Sequence, residues 1–172
     1  SNIPVPLTSF IGREEELNEL TTFFKLPDTR IISLVGPGGV GKTRLAVKFA
    51  TQIAGQFSDG AFYISLSSVQ DADLIPIILA DILKFSFFGP RNHTEQLVNY
   101  LQRMKTLLVF DNFEHLRLKG VNFLAFLLSQ TQYLKILVTT RERLNLISET
   151  LMEVHGLLVP SSDMIEAAET YS

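Results

Sequence analysis

Eight consecutive residues, Gly36-Pro37-Gly38-Gly39-Val40-Gly41-Lys42-Thr43, constrain this chain more than any other stretch. They follow the apolar run Ile31-Ile32-Ser33-Leu34-Val35 and precede Arg44-Leu45-Ala46-Val47-Lys48-Phe49-Ala50. The run before them is short, β-branched and apolar on both faces, as a buried parallel strand requires. The stretch after them repeats apolar residues at Leu45, Phe49, Ile53 and Phe57, which is helical spacing. A glycine-rich loop between a buried strand and a helix turns successive backbone N–H groups inward on an anion, and the new helix presents its positive end to the same anion. The pattern G-x-x-x-x-G-K-[ST] therefore reads as a phosphate cradle lined by Gly36, Gly38, Gly39, Val40, Gly41, Lys42, Thr43 and Arg44. Lys42 is expected to reach the terminal phosphates and Thr43 to hold Mg²⁺. The competing reading, a glycine turn that happens to precede Lys-Thr, has no use for the strand and helix on either side.

A length of 172 residues with 46% hydrophobic content suffices for one domain of ordinary size with a real core. No apolar stretch approaches the ~20 residues of a membrane span, and the N-terminus lacks a basic, apolar, small-residue signal, so the expectation is no membrane and a cytoplasmic location. The chain has no cysteine, which excludes disulfides and thiolate metal sites. Its histidines, His93, His115 and His155, are scattered without ligand spacing. The net charge of −3, with Lys and Arg dispersed, argues against direct nucleic-acid binding by this piece.

At the start, two prolines in Ser1-Asn2-Ile3-Pro4-Val5-Pro6-Leu7 suit an extended lead-in that lies across something. Gly12 then breaks the chain, and Glu14, Glu15 and Glu16 open a helix with Leu17, Leu20 and Phe24 inward. Gly60 to Leu66 reads as a second strand. Asp73 is expected to cap the next helix, with Leu74, Ile78 and Ile82 on one face and Pro76 tolerated in the opening turn. Phe85, Phe87 and Phe88 beside Gly89-Pro90 read either as core under a loop or as a docking patch. Asn92 and Glu95 have capping-box spacing before a helix carrying Leu97, Leu101 and Met104 inward.

Thr106-Leu107-Leu108-Val109-Phe110-Asp111 is an apolar strand that stops on an acid, which puts a carboxylate at the sheet's C-terminal edge, where ligands of open α/β sheets bind. Paired with the phosphate loop, Asp111 reads as the Walker B acid that joins Thr43 at Mg²⁺. Its competing role is to cap the following helix, Leu116 to Gln130. Lys135 to Arg141 is a fourth strand ending in a polar cluster at the same edge. Leu151 to His155 is a short fifth strand, and Asp163 to Tyr171 opens a helix. Alternating strands and helices argue for a parallel sheet with helices on both faces.

Taken with the phosphate loop, Phe10-Ile11-Gly12-Arg13-Glu14-Glu15-Glu16-Leu17 resembles the lead-in motif of the STAND-class ATPases, signal-transduction relatives of AAA+ proteins that include the NB-ARC family. The resemblance covers nearly the whole chain. It implies that Phe10, Ile11 and Arg13 face the nucleotide base, and that Arg141, in the strand-Thr-Thr-Arg arrangement, lies near the γ-phosphate and reports whether ATP or ADP is bound. Many members carry a second acid after the Walker B Asp; here Asn112 stands there, Glu114 is the nearest carboxylate able to act as general base, and hydrolysis is expected to be slow. Asp111-Asn112-Phe113-Glu114-His115 looks like the string of bacterial STAND transcriptional regulators. The catalytic set implied is Lys42, Glu114 and Arg141.

The expected fold is α/β, a P-loop NTPase three-layer sandwich with a five-stranded parallel sheet, and the resemblance to the AAA+ and STAND pattern implies that the Walker B strand is separated from the P-loop strand by the Arg141 strand. The chain is read as one truncated nucleotide-binding domain, with 1–27 a lead-in segment and helix, 28–160 the P-loop core and 161–172 the start of a helical subdomain. The resemblance implies a nucleotide-dependent switch using ATP/ADP and Mg²⁺, packing against C-terminal subdomains of a longer parent, in transcriptional regulation and with ATP-dependent homo-oligomers at full length. Adenine is expected over guanine because no Asn-Lys-x-Asp motif occurs. Two other function classes stay open: a turnover enzyme, either an ATPase motor or a small-molecule kinase, and a non-hydrolysing interaction module using Phe85–Phe88 and Leu124–Leu128 as surfaces.

Overall fold

Five short strands, each bounded by polar or glycine-containing turns, assemble into one parallel sheet. They are β1 (Ile31–Val35), β2 (Ala61–Ser65), β3 (Leu107–Asp111), β4 (Lys135–Thr140) and β5 (Glu149–Glu153). The computed structural model of the chain describes residues 1–6 and 12–156. Phe10, Ile11 and the helix expected over 163–171 lie outside the described residues. The strand order is β2-β3-β4-β1-β5, and all four neighbouring pairs are parallel. β4 therefore separates β3, which ends on Asp111, from β1, which feeds the glycine loop. That is the order the STAND and AAA+ resemblance implies.

Alternation along each strand divides the core between the two faces. Ile32, Leu34, Leu107, Val109, Leu137 and Met152 pack against α1 (Glu14–Lys25) and α2 (Lys42–Ile53). Ile31, Ile64, Leu108, Phe110, Ile136 and Val138 pack against α3 (Ile75–Leu83), α4 (His93–Leu101) and α5 (Arg117–Gln130). α1 turns Leu17, Leu20 and Phe24 inward as its spacing requires, and Phe24 stacks on Phe49 of α2 with ring centroids 5.5 Å apart. Fully burying one such side chain stabilises by roughly 1.5–3 kcal/mol. Cations finish two helices: Lys135 Nζ donates to the carbonyls of Phe24, in the last turn of α1, and Leu26 just after it, and Arg30 donates to those of Thr131 and Leu134 after α5.

The lead-in does lie across something. β2 is an edge strand, and the Asn2 amide accepts from the Tyr63 N–H at 2.7 Å and donates to the Tyr63 carbonyl at 2.9 Å, covering part of that edge. Several expectations need correction. Asp71, not Asp73, is the cap: its carboxylate accepts from the Asp73 N–H, a turn of 3₁₀ helix covers Ala72–Leu74, and α3 begins only at Ile75 with Pro76 in its first turn. α2 ends at Ile53, so Phe57 is buried from beyond the helix. β5 starts at Glu149, two residues before the expected strand.

The two apolar surfaces proposed for partners are largely core. Phe85 and Phe87 pack against the buried cluster, stacked on Tyr100 and His93 respectively, and of the three phenylalanines only Phe88 is exposed. Leu124 and Leu127 are fully buried on the inward side of α5, while Phe126 between them is exposed. The capping expected at Asn92 is present, its side chain accepting from the Glu95 N–H.

Candidate functional site

The glycine loop leaves β1 at Val35 and enters α2 at Lys42, and its glycines answer to distinct constraints. At Gly36 a side chain would stand 2.5 Å from the Val154 carbonyl, because the chain after β5 runs directly beside the loop. Gly39 and Gly41 have φ of 78° and 101°, the left-handed region that side chains disfavour. No side chain caps α2 at Gly41, so the first N–H groups of the helix are left to the loop's concave side.

Lys42 is buried, and its ammonium donates to the carbonyls of Gly36 at 2.6 Å and Pro37 at 2.8 Å, folding the loop around it. Burial holds its pKa below the ordinary lysine value; Glu114 opposes that shift, Arg141 adds to it and Asp111 opposes it. Arg44 is exposed on the first turn of α2. Arg13 is buried in left-handed backbone, donates to the Val40 carbonyl at 2.5 Å and pairs with Glu16 at 3.3 Å. Its guanidinium stands against Gly41, so Arg13 braces the loop from the lead-in side.

Asp111 ends β3 at 2% exposure, where a carboxylate is tolerable only if fully hydrogen-bonded. Oδ1 accepts the hydroxyls of Thr43, at 2.8 Å, and of Thr139, and Oδ2 accepts the Tyr63 hydroxyl at 2.5 Å. Burial, followed by the hydrogen bond to Asp111 and that residue's charge, pushes the Tyr63 phenol well above its ordinary value. Thr139 also accepts from the Asn112 N–H at 2.9 Å, and its carbonyl accepts from the Phe113 N–H. Asn112 itself has φ of 62°, a conformation asparagine tolerates better than most residues. Aspartate tolerates the same conformation, so the backbone at this position does not by itself select asparagine over the second acid that many STAND relatives carry.

Glu114 stands in a 3₁₀ turn, Glu114–Leu116, just past Asp111. Its Oε1 lies 3.6 Å from Arg141 Nε, while its buried Oε2 has no hydrogen-bond partner among the described residues. Arg141 reaches across to the glycine loop: a side chain at Gly38 would meet its Nη2 at 2.8 Å. Strand order explains the convergence, since β4 places Thr139, Thr140 and Arg141 between the ends of β3 and β1. The structure therefore brings together Arg13, the glycine loop, Lys42, Thr43, Asp111, Glu114 and Arg141. Sequence reasoning missed Tyr63 and Thr139. Thr139 carried a faint signal, as a polar residue in a run otherwise fit for a buried strand.

A family model described as an AAA ATPase domain matches residues 9–139. The chain belongs to that family. As an AAA ATPase domain it is 34% identical over 160 residues to an uncharacterised Mycobacterium tuberculosis protein, covering 93% of this chain and 40% of that one. It is 28% identical over 147 residues to another M. tuberculosis protein provisionally named an HTH-type transcriptional regulator, covering 86% of this chain and 16% of that protein. The chain thus spans well under half of the relatives it matches. Among solved structures, the domain resembles Cdc6p from Pyrobaculum aerophilum with a TM-score of 0.67 at 17% identity, over 90% of this chain and 47% of that one. A signal transduction ATPase with numerous domains (STAND) and a tetratricopeptide repeat sensor, from Pyrococcus horikoshii, gives 0.58 at 20% identity, over 91% and 25%. At these identities the likeness is one of fold. Within the AAA ATPase domain no described helix is long and apolar enough to cross a membrane.

Proposed function

We propose that this AAA ATPase domain is a nucleotide-dependent conformational switch that binds ATP or ADP with Mg²⁺ and hydrolyses ATP slowly. The observation that carries the reading is the meeting of Lys42, Asp111, Glu114 and Arg141 at the mouth of the glycine loop. The residues suit the ligand. A lysine buried among carbonyls, with no carboxylate bonded to it, is matched to a polyanion. The hydroxyl of Thr43 and the carboxylate of Asp111 are hard oxygen donors suited to Mg²⁺. Bound there, the metal would neutralise charge on the phosphates.

The chain's own groups then divide the work. Loop N–H groups and Lys42 bind the phosphates, and Arg13 holds the loop in its curled form. Glu114, with its orphaned Oε2, is the group able to take a proton from an attacking water. Its ion pair with Arg141 ties base and phosphate reporter together, so the γ-phosphate draws on one partner of an existing pair. With Asn112 uncharged, only Glu114 is available in this stretch to serve as base, which supports slow turnover. Phe10 and Ile11 are proposed to cover the base. In a longer protein of the kind the chain matches, the ATP and ADP states would bias how following helical segments pack, and with that assembly and transcriptional output.

Calorimetry with ATP, ADP and GTP in Mg²⁺ tests the reading. Lys42→Ala is expected to weaken ATP and ADP by on the order of a hundredfold, since a charge-assisted hydrogen bond contributes roughly 1.5–3 kcal/mol. Unchanged affinity, or equal affinity for GTP, would sink the assignment. Steady-state turnover above about 1 s⁻¹ would favour a turnover enzyme over a switch.

A further inference from the structure

Glu149, the first residue of β5, joins three segments that the nucleotide site depends on. Its Oε2 accepts the hydroxyl of Ser33, in the middle of β1, at 2.6 Å, and the N–H of Leu144 at 2.9 Å. Its Oε1 accepts the N–H of Asn145 at 3.2 Å. Leu144 and Asn145 belong to the loop 141–148 between β4 and β5, which begins with Arg141. At the other end of that loop, Thr140 Oγ1 donates to the Glu142 carbonyl at 2.8 Å and accepts from its N–H at 3.3 Å, so Arg141 projects from a tied turn. Leu144 is itself anchored in the core, and Asn145 turns the chain with φ of 61°.

Ser33 is fully buried three residues before the glycine loop. A carboxylate that holds both a buried hydroxyl of the P-loop strand and two amides of the Arg141 loop fixes the distance between them. Loop amides left without such an acceptor would turn to solvent, and the arginine at the loop's head would lose its reference to Gly38.

We propose that Glu149 is a positioning residue for the nucleotide site: it clamps the 141–148 loop to β1 and so sets where the Arg141 guanidinium stands against the glycine loop. The proposal rests on the reading of Arg141 as reporter of the terminal phosphate. A role confined to closing the loop would change stability and leave nucleotide discrimination alone.

The test is calorimetry on the 172-residue chain with ADP and with β,γ-imido-ATP, both in Mg²⁺, alongside thermal unfolding. Arg141→Ala is expected to lower the ratio of ATP-analogue to ADP affinity about tenfold, a coupling of ordinary size. Glu149→Ala should lower that ratio by a similar factor while ADP affinity stays within about twofold, and the double variant should fall no further than Arg141→Ala by more than the additive error. Glu149→Gln, which keeps the shape and one acceptor oxygen, should give an intermediate ratio and is read by the same criteria if the alanine variant does not fold. An unchanged ratio in both Glu149 variants with a lowered one in Arg141→Ala overturns the proposal. So does equal weakening of both nucleotides, or a double variant whose losses add. If Arg141→Ala leaves the ratio intact, the reading of Arg141 fails first and the proposal falls with it.

Discussion

Thr43, one residue into α2, donates its hydroxyl to Asp111 Oδ1 at 2.8 Å although 68 positions separate the two in the chain. The contact joins the end of the glycine loop to the end of β3 across an intervening strand, and Thr139 of that strand donates to the same oxygen.

Removing the acceptor should be costly. Asp111→Ala leaves the hydroxyls of Thr43, Thr139 and Tyr63 without their shared partner in a buried site, a loss of about 2–4 kcal/mol. Asp111→Asn, which keeps the shape and an acceptor, should unfold much closer to the parent in urea yet lose the Mg²⁺-dependent part of ATP binding. Unfolding curves and ATP titrations with and without Mg²⁺ separate the two effects.

Tyr63 should write a pH dependence on stability. Its folded-state pKa is raised well above the ordinary tyrosine value of 10.0, so the folded chain holds the phenol proton where the unfolded chain releases it. The stabilisation is full below pH 10 and is lost as pH rises beyond it. Lys42 and Lys135, both lowered by burial, act in the opposite sense over the same range, so the informative quantity is the difference from Tyr63→Phe. Chemical denaturation at pH 8 and pH 10.5 should show the parent losing more stability than the variant, which itself starts about 1–2 kcal/mol lower for the orphaned Oδ2.

Two glycines of the same loop should respond differently to alanine. At Gly36 the new methyl would collide with a backbone carbonyl, that of Val154, which cannot move without shifting the chain after β5. Gly36→Ala is expected to cost about 2 kcal/mol or more. At Gly38 the methyl meets only the tip of Arg141, a flexible and largely exposed side chain. Gly38→Ala should stay within about 0.5 kcal/mol of the parent while its preference for ATP over ADP falls. Thermal unfolding paired with calorimetry reads both.

Arg13→Ala removes the bond to the Val40 carbonyl and should loosen the loop, weakening ADP and ATP alike by roughly tenfold, less than Lys42→Ala because Arg13 acts on the loop and not on the phosphates. Arg13→Lys should restore little, because a lysine cannot bond Val40 and Glu16 through a planar fork. A variant that changed only the preference for adenine over guanine would instead place Arg13 at the base.

The glycine loop, the strand that enters it, the helix that leaves it and the acid at the end of β3 were legible from the sequence alone, because each rests on short-range backbone chemistry. Glycines at left-handed φ, an apolar run of strand length and a 3.6-residue repeat keep their meaning wherever the chain later packs. The exchange of Asp71 for Asp73 as cap came with a one-residue shift of the buried face of α3, from the expected Leu74, Ile78 and Ile82 to Ile75, Leu79 and Leu83, with Leu74 exposed. The tertiary structure decided what converges on those elements. Tyr63 reaches Asp111 from the neighbouring strand β2, Thr139 from β4, and Glu149 holds the Arg141 loop from the far edge of the sheet. Nothing in the spacing of these residues announces a partner 28 to 116 positions away. Strand order and register bring them together, and those depend on how whole faces of the sheet bury against the helices.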